Sequence, residues 1–315
     1  MNLSETARRQ RFPRWLPYAI TAAVCWGIWG VLAKSPSREL SGWMTQVLFT
    51  VALIPSAAVA WRSSQVSVAS NKWRGIFWGF LSGLVAGTGD LCFYLALQCG
   101  ADTAIAIPMI SLYPLITLSI AYCCFKERLN LMQAAGVVLA VIAIILLSGG
   151  GTGLLHPLEL LHHLRLTPWI LYTLAALICA GLFTATQKLS TNYISAEMSY
   201  LAWCAAFVAI AAGIVLTKSL NWSMPITLVG LALAAGVLNG FGVIAAFAAY
   251  RYEGKAAVVA PLTATLQPLV TVLLALLFLG EHVGLVELCG ILLAICAAAA
   301  LARETKLPAT AEAAK

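Results

Sequence analysis

Ten apolar runs follow one another along the chain, each long enough to cross a hydrocarbon core of about 30 Å at about 1.5 Å per helical residue. They are Leu16–Ala33, Gly42–Trp61, Gly75–Cys99, Thr103–Phe125 and Leu131–Leu147, then Trp169–Gln187, Met198–Leu216, Ile226–Tyr250, Ala256–Leu279 and Gly284–Leu301. Soluble chains carry about a quarter charged residues. Here 10% are charged and 61% hydrophobic, too few polar side chains to clothe a water-facing surface. In hydrocarbon every backbone group must be satisfied internally, and the alternation of a lipid-facing barrel strand is absent, so the runs must be helices. The expectation is an all-α polytopic membrane protein.

The charges orient it. With the N-terminus in the cytoplasm, 15 of the 19 Lys and Arg fall on the cytoplasmic side, and only Lys34, Arg38, Arg165 and Lys218 lie in outer loops. The +7 net charge is therefore a topology signal at the ends of runs and forms no stripe suited to nucleic acid. Residues 1–15 and 303–315 read as cytoplasmic tails, 149–168 as an outer linker, and 16–148 and 169–302 as two five-span units. The first span, preceded by Arg8, Arg9, Arg11 and Arg14, lacks a small-residue cleavage site and reads as retained. These features predict a multi-pass protein of the plasma (inner) membrane. Most of the nine cysteines lie inside apolar runs, and no spacing predicts a disulfide framework or a metal. His156, His162 and His163 read as a solvated loop, and no cofactor is expected.

The two units are copies. At an offset of 154 residues, without a gap, Gly27 falls on Gly181, Lys34 on Lys188, Ser41 on Ser195, Gly100 on Gly254, Pro114 on Pro268, Thr117 on Thr271, Glu127 on Glu281 and Gly136 on Gly290. Scarce Lys, Glu and Pro matching at one offset mark a duplicated structural unit. An odd number of spans per unit makes the second copy enter from the opposite face. That is the inverted repeat of many secondary transporters, whose halves exchange conformations around a central site.

Candidate site residues follow from what is costly in lipid. Asp90 is the acidic residue deep within a span, and an Asp at a helix centre costs about 2.5–3.5 kcal/mol on an insertion scale. Gly75, Gly79, Gly83 and Gly87 form a stripe for close helix packing, and Asp90, Tyr94 and Gln98 continue nearly the same face. Spans four and nine carry Pro108 and Pro114, and Pro261 and Pro268. Helices interrupted at corresponding places in two halves point to a binding site. Near them stand Ser111, Tyr113 and Thr117, then Thr263, Thr265, Gln267 and Thr271; the hydroxyls among these alternatively satisfy carbonyls freed by proline. Trp26 and Trp29 lie on one side of span one, and Asn239 and Tyr250 share a face of span eight. Lys34 and Lys188 end spans one and six and are expected to snorkel to headgroups or to attract an anionic substrate group. Glu127 and Glu281 are expected to favour the positive N-terminal ends of spans five and ten. Gly87-Thr88-Gly89-Asp90 spells the G-x-G-D of intramembrane aspartyl proteases, but Asp102 is the chain's one other Asp and lies outside the span.

Trp26-Gly27 followed by Lys34, Leu112-Tyr113-Pro114, Glu127-Arg128-Leu129, then Gln267-Pro268-Leu269, Gly280-Glu281 and Gly290 form two ordered sets in a ten-span frame. On these the chain resembles the EamA-type members of the drug/metabolite transporter superfamily from about Pro17 to Ala302, with Ala180-Gly181 in place of the second Trp-Gly. The resemblance implies export or exchange of small metabolites such as amino acids. It also implies a cavity lined by spans one, three, four, six, eight and nine, with Trp26, Trp29, Tyr94, Tyr113, Asn239 and Gln267 in its wall. The expected function is secondary transport of an amino-acid-like solute by alternating access, without catalysis. Uptake of a sugar or nucleoside-like solute is the alternative. The expected partners are a small-molecule substrate and membrane lipid, with monomer and homodimer both open.

Overall fold

A computed structural model describes residues 13–116, 131–148, 167–252 and 256–301. Glu127, the end of span four, the linker with its three histidines, and most of both tails lie outside the described residues. Within them the chain is almost wholly helical, a polytopic membrane protein of ten spans in two five-span repeats.

Six apolar helices are long enough to cross a membrane: Trp15–Glu39, Gly42–Arg62, Lys72–Gln98, Pro168–Thr191, Ala196–Thr217 and Ile226–Arg251. These are spans one to three and six to eight. Further apolar helical stretches, Thr103–Ile116, Leu131–Leu147, Leu262–Phe278 and Leu285–Leu301, belong to spans four, five, nine and ten. Two long spans are jointed. Span one passes from Trp15–Leu32 into Lys34–Glu39 at Ala33, and span two from Gly42–Ala52 into Ile54–Arg62 beside Pro55.

The duplication extends to local chemistry. Ser41 caps span two by accepting from the Met44 amide at 3.2 Å, and Ser195 caps span seven by accepting from the Met198 amide at 3.1 Å. It extends to packing as well. A Cβ on Gly27 would lie 2.6 Å from Val270 Cβ and 3.2 Å from the Gln267 carbonyl. On Gly181 it would lie 2.6 Å from Ile116 Cβ and 3.0 Å from the Tyr113 carbonyl. Span one therefore touches span nine as span six touches span four, and each partner residue is the repeat mate of the other. Spans five and ten pack on each other through the mates Gly136 and Gly290, against Leu301 and Leu147.

The glycine stripe of span three meets span seven, where Gly83 lies against the Trp203 carbonyl and 2.7 Å, as a Cβ, from Ala206 Cβ. Its counterpart is span eight against span two, Gly236 facing the Phe49 carbonyl. Small residues let these backbones approach, the usual adhesive where lipid gives no hydrophobic drive. Trp203, Tyr94, Tyr200, Phe49, Phe93, Phe207 and Phe247 fill the interior, whereas Trp73, Leu131, Leu216, Ile226, Phe278 and Leu285 stand exposed on the outside.

The proline expectation holds in one copy only. Span four stops being a helix after Ile110, turns through Ser111–Tyr113 and resumes at Pro114. Span nine, despite Pro261 and Pro268, runs as one helix from Ala256 to Phe278. A proline removes one ladder bond, and neighbouring helices hold the rest of the helix in place.

Candidate functional site

Between the two repeats lies a cavity of about 820 Å³, counting its open mouth. Spans one, three, four, six, eight and nine supply its wall, and Trp203 of span seven closes a side. Trp26 and Trp29 enter from span one, and Asp90 with Phe93 from span three. Tyr113 comes from the broken turn of span four, Phe183 and Gln187 from span six, Asn239 and Tyr250 from span eight, and Thr263 and Gln267 from span nine. The repeat mates Trp26 and Ala180, Trp29 and Phe183, and Tyr113 and Gln267 all line it, so the cavity straddles the pseudosymmetry.

Polar groups are few and mostly placed by helix geometry. Asn239 Nδ2 donates to Asp90 Oδ2 at 3.2 Å, joining span eight to span three. The Tyr113 hydroxyl donates to the Ala260 carbonyl at 2.7 Å and lies 2.9 Å from Thr263 Oγ1, tying the broken turn to span nine. Thr263 and Thr271 in turn reach carbonyls one turn back, Val259 and Gln267, at 3.1 Å each. The carbonyl-satisfying reading thus fits these two threonines.

Three expected wall residues lie elsewhere. Tyr94 is wholly buried behind the wall, accepting from Trp29 Nε1 at 3.0 Å, so it positions that ring. Gln98 is exposed, and its Oε1 accepts from the Gly42 amide at 2.9 Å, because the face shared with Asp90 carries it past the end of the bundle. Thr265 bonds the Leu262 carbonyl at 3.1 Å, on a side of span nine turned from the cavity.

The two lysines do not snorkel freely. Lys34 is 7% exposed and pairs with Glu281 and, at 3.1 Å, with Asp102. Arg38 reaches the same Asp102 at 3.4 Å and the Ala101 carbonyl at 2.9 Å. Glu281 accepts from the amides of Thr103 and Ala104 at 2.9 and 2.7 Å. Its carboxylate does sit on a helix N-terminus, but that of span four in the other repeat and not that of span ten, because the turn at Gly280 aims it inward. The cluster ties spans one, four and nine together. Lys188 is half-buried with its Nζ 5.9 Å from the Tyr250 ring centroid; Tyr250 packs with Ala19 near the start of span one. The two aspartates are engaged separately, Asp90 by Asn239 and Asp102 by Lys34 and Arg38, so they do not form a shared-proton dyad.

Sequence reasoning missed Phe183, Gln187 and Trp203. Adding 154 to Trp29 would have found Phe183. Gln187 stood at the end of an apolar run and read as its terminus. Trp203 gave no signal among the aromatic residues.

A duplicated ten-span bundle whose repeats enclose a largely apolar cavity with a few polar groups at their interface is the build of a small-solute transporter. The chain belongs to the EamA-like transporter family, whose sequence pattern matches residues 13–149 and again 167–303. It is 28% identical over 129 residues to the "Uncharacterized protein MJ1333.1" of Methanocaldococcus jannaschii. That match takes in 41% of this chain and 92% of the relative, which is therefore about as long as one repeat. A solved structure described only as "Crystal structure of protein" superposes with TM-score 0.60 over 91% of this chain and 95% of its own, at 18% identity, and shares the fold.

Proposed function

We propose that the protein is a secondary carrier that moves an amino-acid-like metabolite outward, or exchanges it, by alternating access through this cavity. It does so without catalysis, in the plasma (inner) membrane, with both termini in the cytoplasm. The observation that carries the reading is the cavity's place between mated residues of the two repeats. A site shared by two interconvertible halves opens alternately to each face when the halves trade conformations. Asp90 and Asn239 offer a carboxylate and an amide to a solute's amino group, and the aromatic wall covers its apolar part. A counterflow screen of amino acids, sugars and nucleosides in proteoliposomes tests this. Saturable counterflow of amino acids supports it. Counterflow of sugars or nucleosides alone reassigns the cargo, and none with any solute, amines included, refutes the carrier.

A further inference from the structure

The wall carries one carboxylate, Asp90, and among the described residues no Lys, Arg or His. A cation entering between Trp29, Phe93 and Asp90 meets both opposite charge and the negative faces of aromatic rings, which hold ammonium groups well when water is excluded. A carboxylate placed beside Asp90 meets neither, and its desolvation goes uncompensated.

The far part of the wall is different in kind. Gln187 Nε2 and Trp203 Nε1 are buried N–H donors with no partner, on side chains each 1% exposed that line the cavity. Of the other wall groups, Trp29, Tyr113, Thr184, Thr263 and the Asp90–Asn239 pair are already engaged. Buried donors left unmade are costly, so these two mark where a ligand acceptor belongs. Their level follows from the packing. Trp203 Cα abuts Gly83, 2.8 Å from where its Cβ would be. Gln187 sits on span six between Cys179, which faces Gly89, and Ser190, which donates to the Gly75 carbonyl at 3.0 Å. Gly83 precedes Asp90 by two helical turns, about 10 Å.

We infer that the cavity takes an amphiphilic monocation, with an ammonium group at Asp90–Asn239, an aromatic or apolar middle, and an uncharged acceptor at Gln187–Trp203. Zwitterionic α-amino acids are second best. They carry both charges on one carbon, whereas Lys188, the cation beside the wall residue Tyr250, lies about 16 Å along span eight from Asn239. This rests on the carrier reading and narrows its cargo.

The test is calorimetric titration of the full chain in lipid nanodiscs with tyramine, phenethylamine, tyrosine and 3-(4-hydroxyphenyl)propionate. Tyramine is expected to bind roughly five- to tenfold tighter than phenethylamine, which lacks the acceptor. Tyrosine should bind at least about tenfold weaker than tyramine, and the acid not at all. Asp90→Asn should weaken tyramine by more than about tenfold while Asp90→Glu keeps the order of the probes. Gln187→Leu and Trp203→Phe should each shrink the tyramine-over-phenethylamine ratio. Tyrosine or the acid matching tyramine in the unmodified protein, amine affinity surviving Asp90→Asn, or no saturable amine binding overturns the inference. Amino-acid counterflow without amine preference leaves the carrier standing and removes this narrowing. Amine binding with no counterflow of any solute does the reverse.

Discussion

Asp90 and the Lys34–Glu281 pair show two ways a charge survives in a bilayer. Asp90 keeps one amide neighbour and faces the cavity, so its protonation can change as the cavity changes face. With the Cys92 and Cys179 thiols and the Tyr94 phenol near it, it is the one carboxylate in the wall. We expect Asp90→Asn protein to insert and fold, and its residual transport at saturating solute to lose its pH dependence in proteoliposomes. A full pH dependence in that variant would refute proton coupling here. Glu281 instead spends its lone pairs on an ammonium and two helix-end amides. Removing one member of a buried pair costs about 3–5 kcal/mol, much of it the stranded charge. Lys34→Met should therefore lower the unfolding temperature in detergent, and adding Glu281→Gln should restore part of it. Two single losses that merely add would show that the pair is not coupled.

Among the helices, contact is set by where side chains are missing. Gly83→Val places methyl groups against the Trp203 carbonyl, a backbone atom held by its own helix. Loss of monodisperse protein on size exclusion is the expected result. Gly213→Ala, where a Cβ meets nothing within 4 Å, should be tolerated. The stripe was legible because glycine at every fourth position has few other uses in an apolar helix. That it meets span seven while Asp90, three residues past Gly87, faces the cavity was not legible, since 100° per residue separates neighbours onto different partners.

For the molecule as a whole, the repeat makes a prediction about compartments. In a cysteine-free background, His282→Cys and its mate Arg128→Cys should be labelled by a membrane-impermeant reagent from opposite faces. Labelling of both from one face would remove the inverted repeat and the alternating access built on it. The same symmetry explains why a relative the length of one repeat matches this chain.

Read alone, the chain set the ten spans and their pairing at an offset of 154 residues, because bilayer thickness and desolvation act on each run separately. It also singled out Trp26, Trp29, Asp90, Tyr113, Asn239, Tyr250 and Gln267, which do converge on one cavity. Three-dimensional packing alone decided that Lys34 is buried against Glu281, that Tyr94 backs a wall it does not form, that Gln98 holds the first amide of span two, and that Gln187 and Trp203 hold idle donors. Those outcomes depend on which helix stands opposite. Residues from 56 to 247 positions away choose that partner, and no local pattern records it.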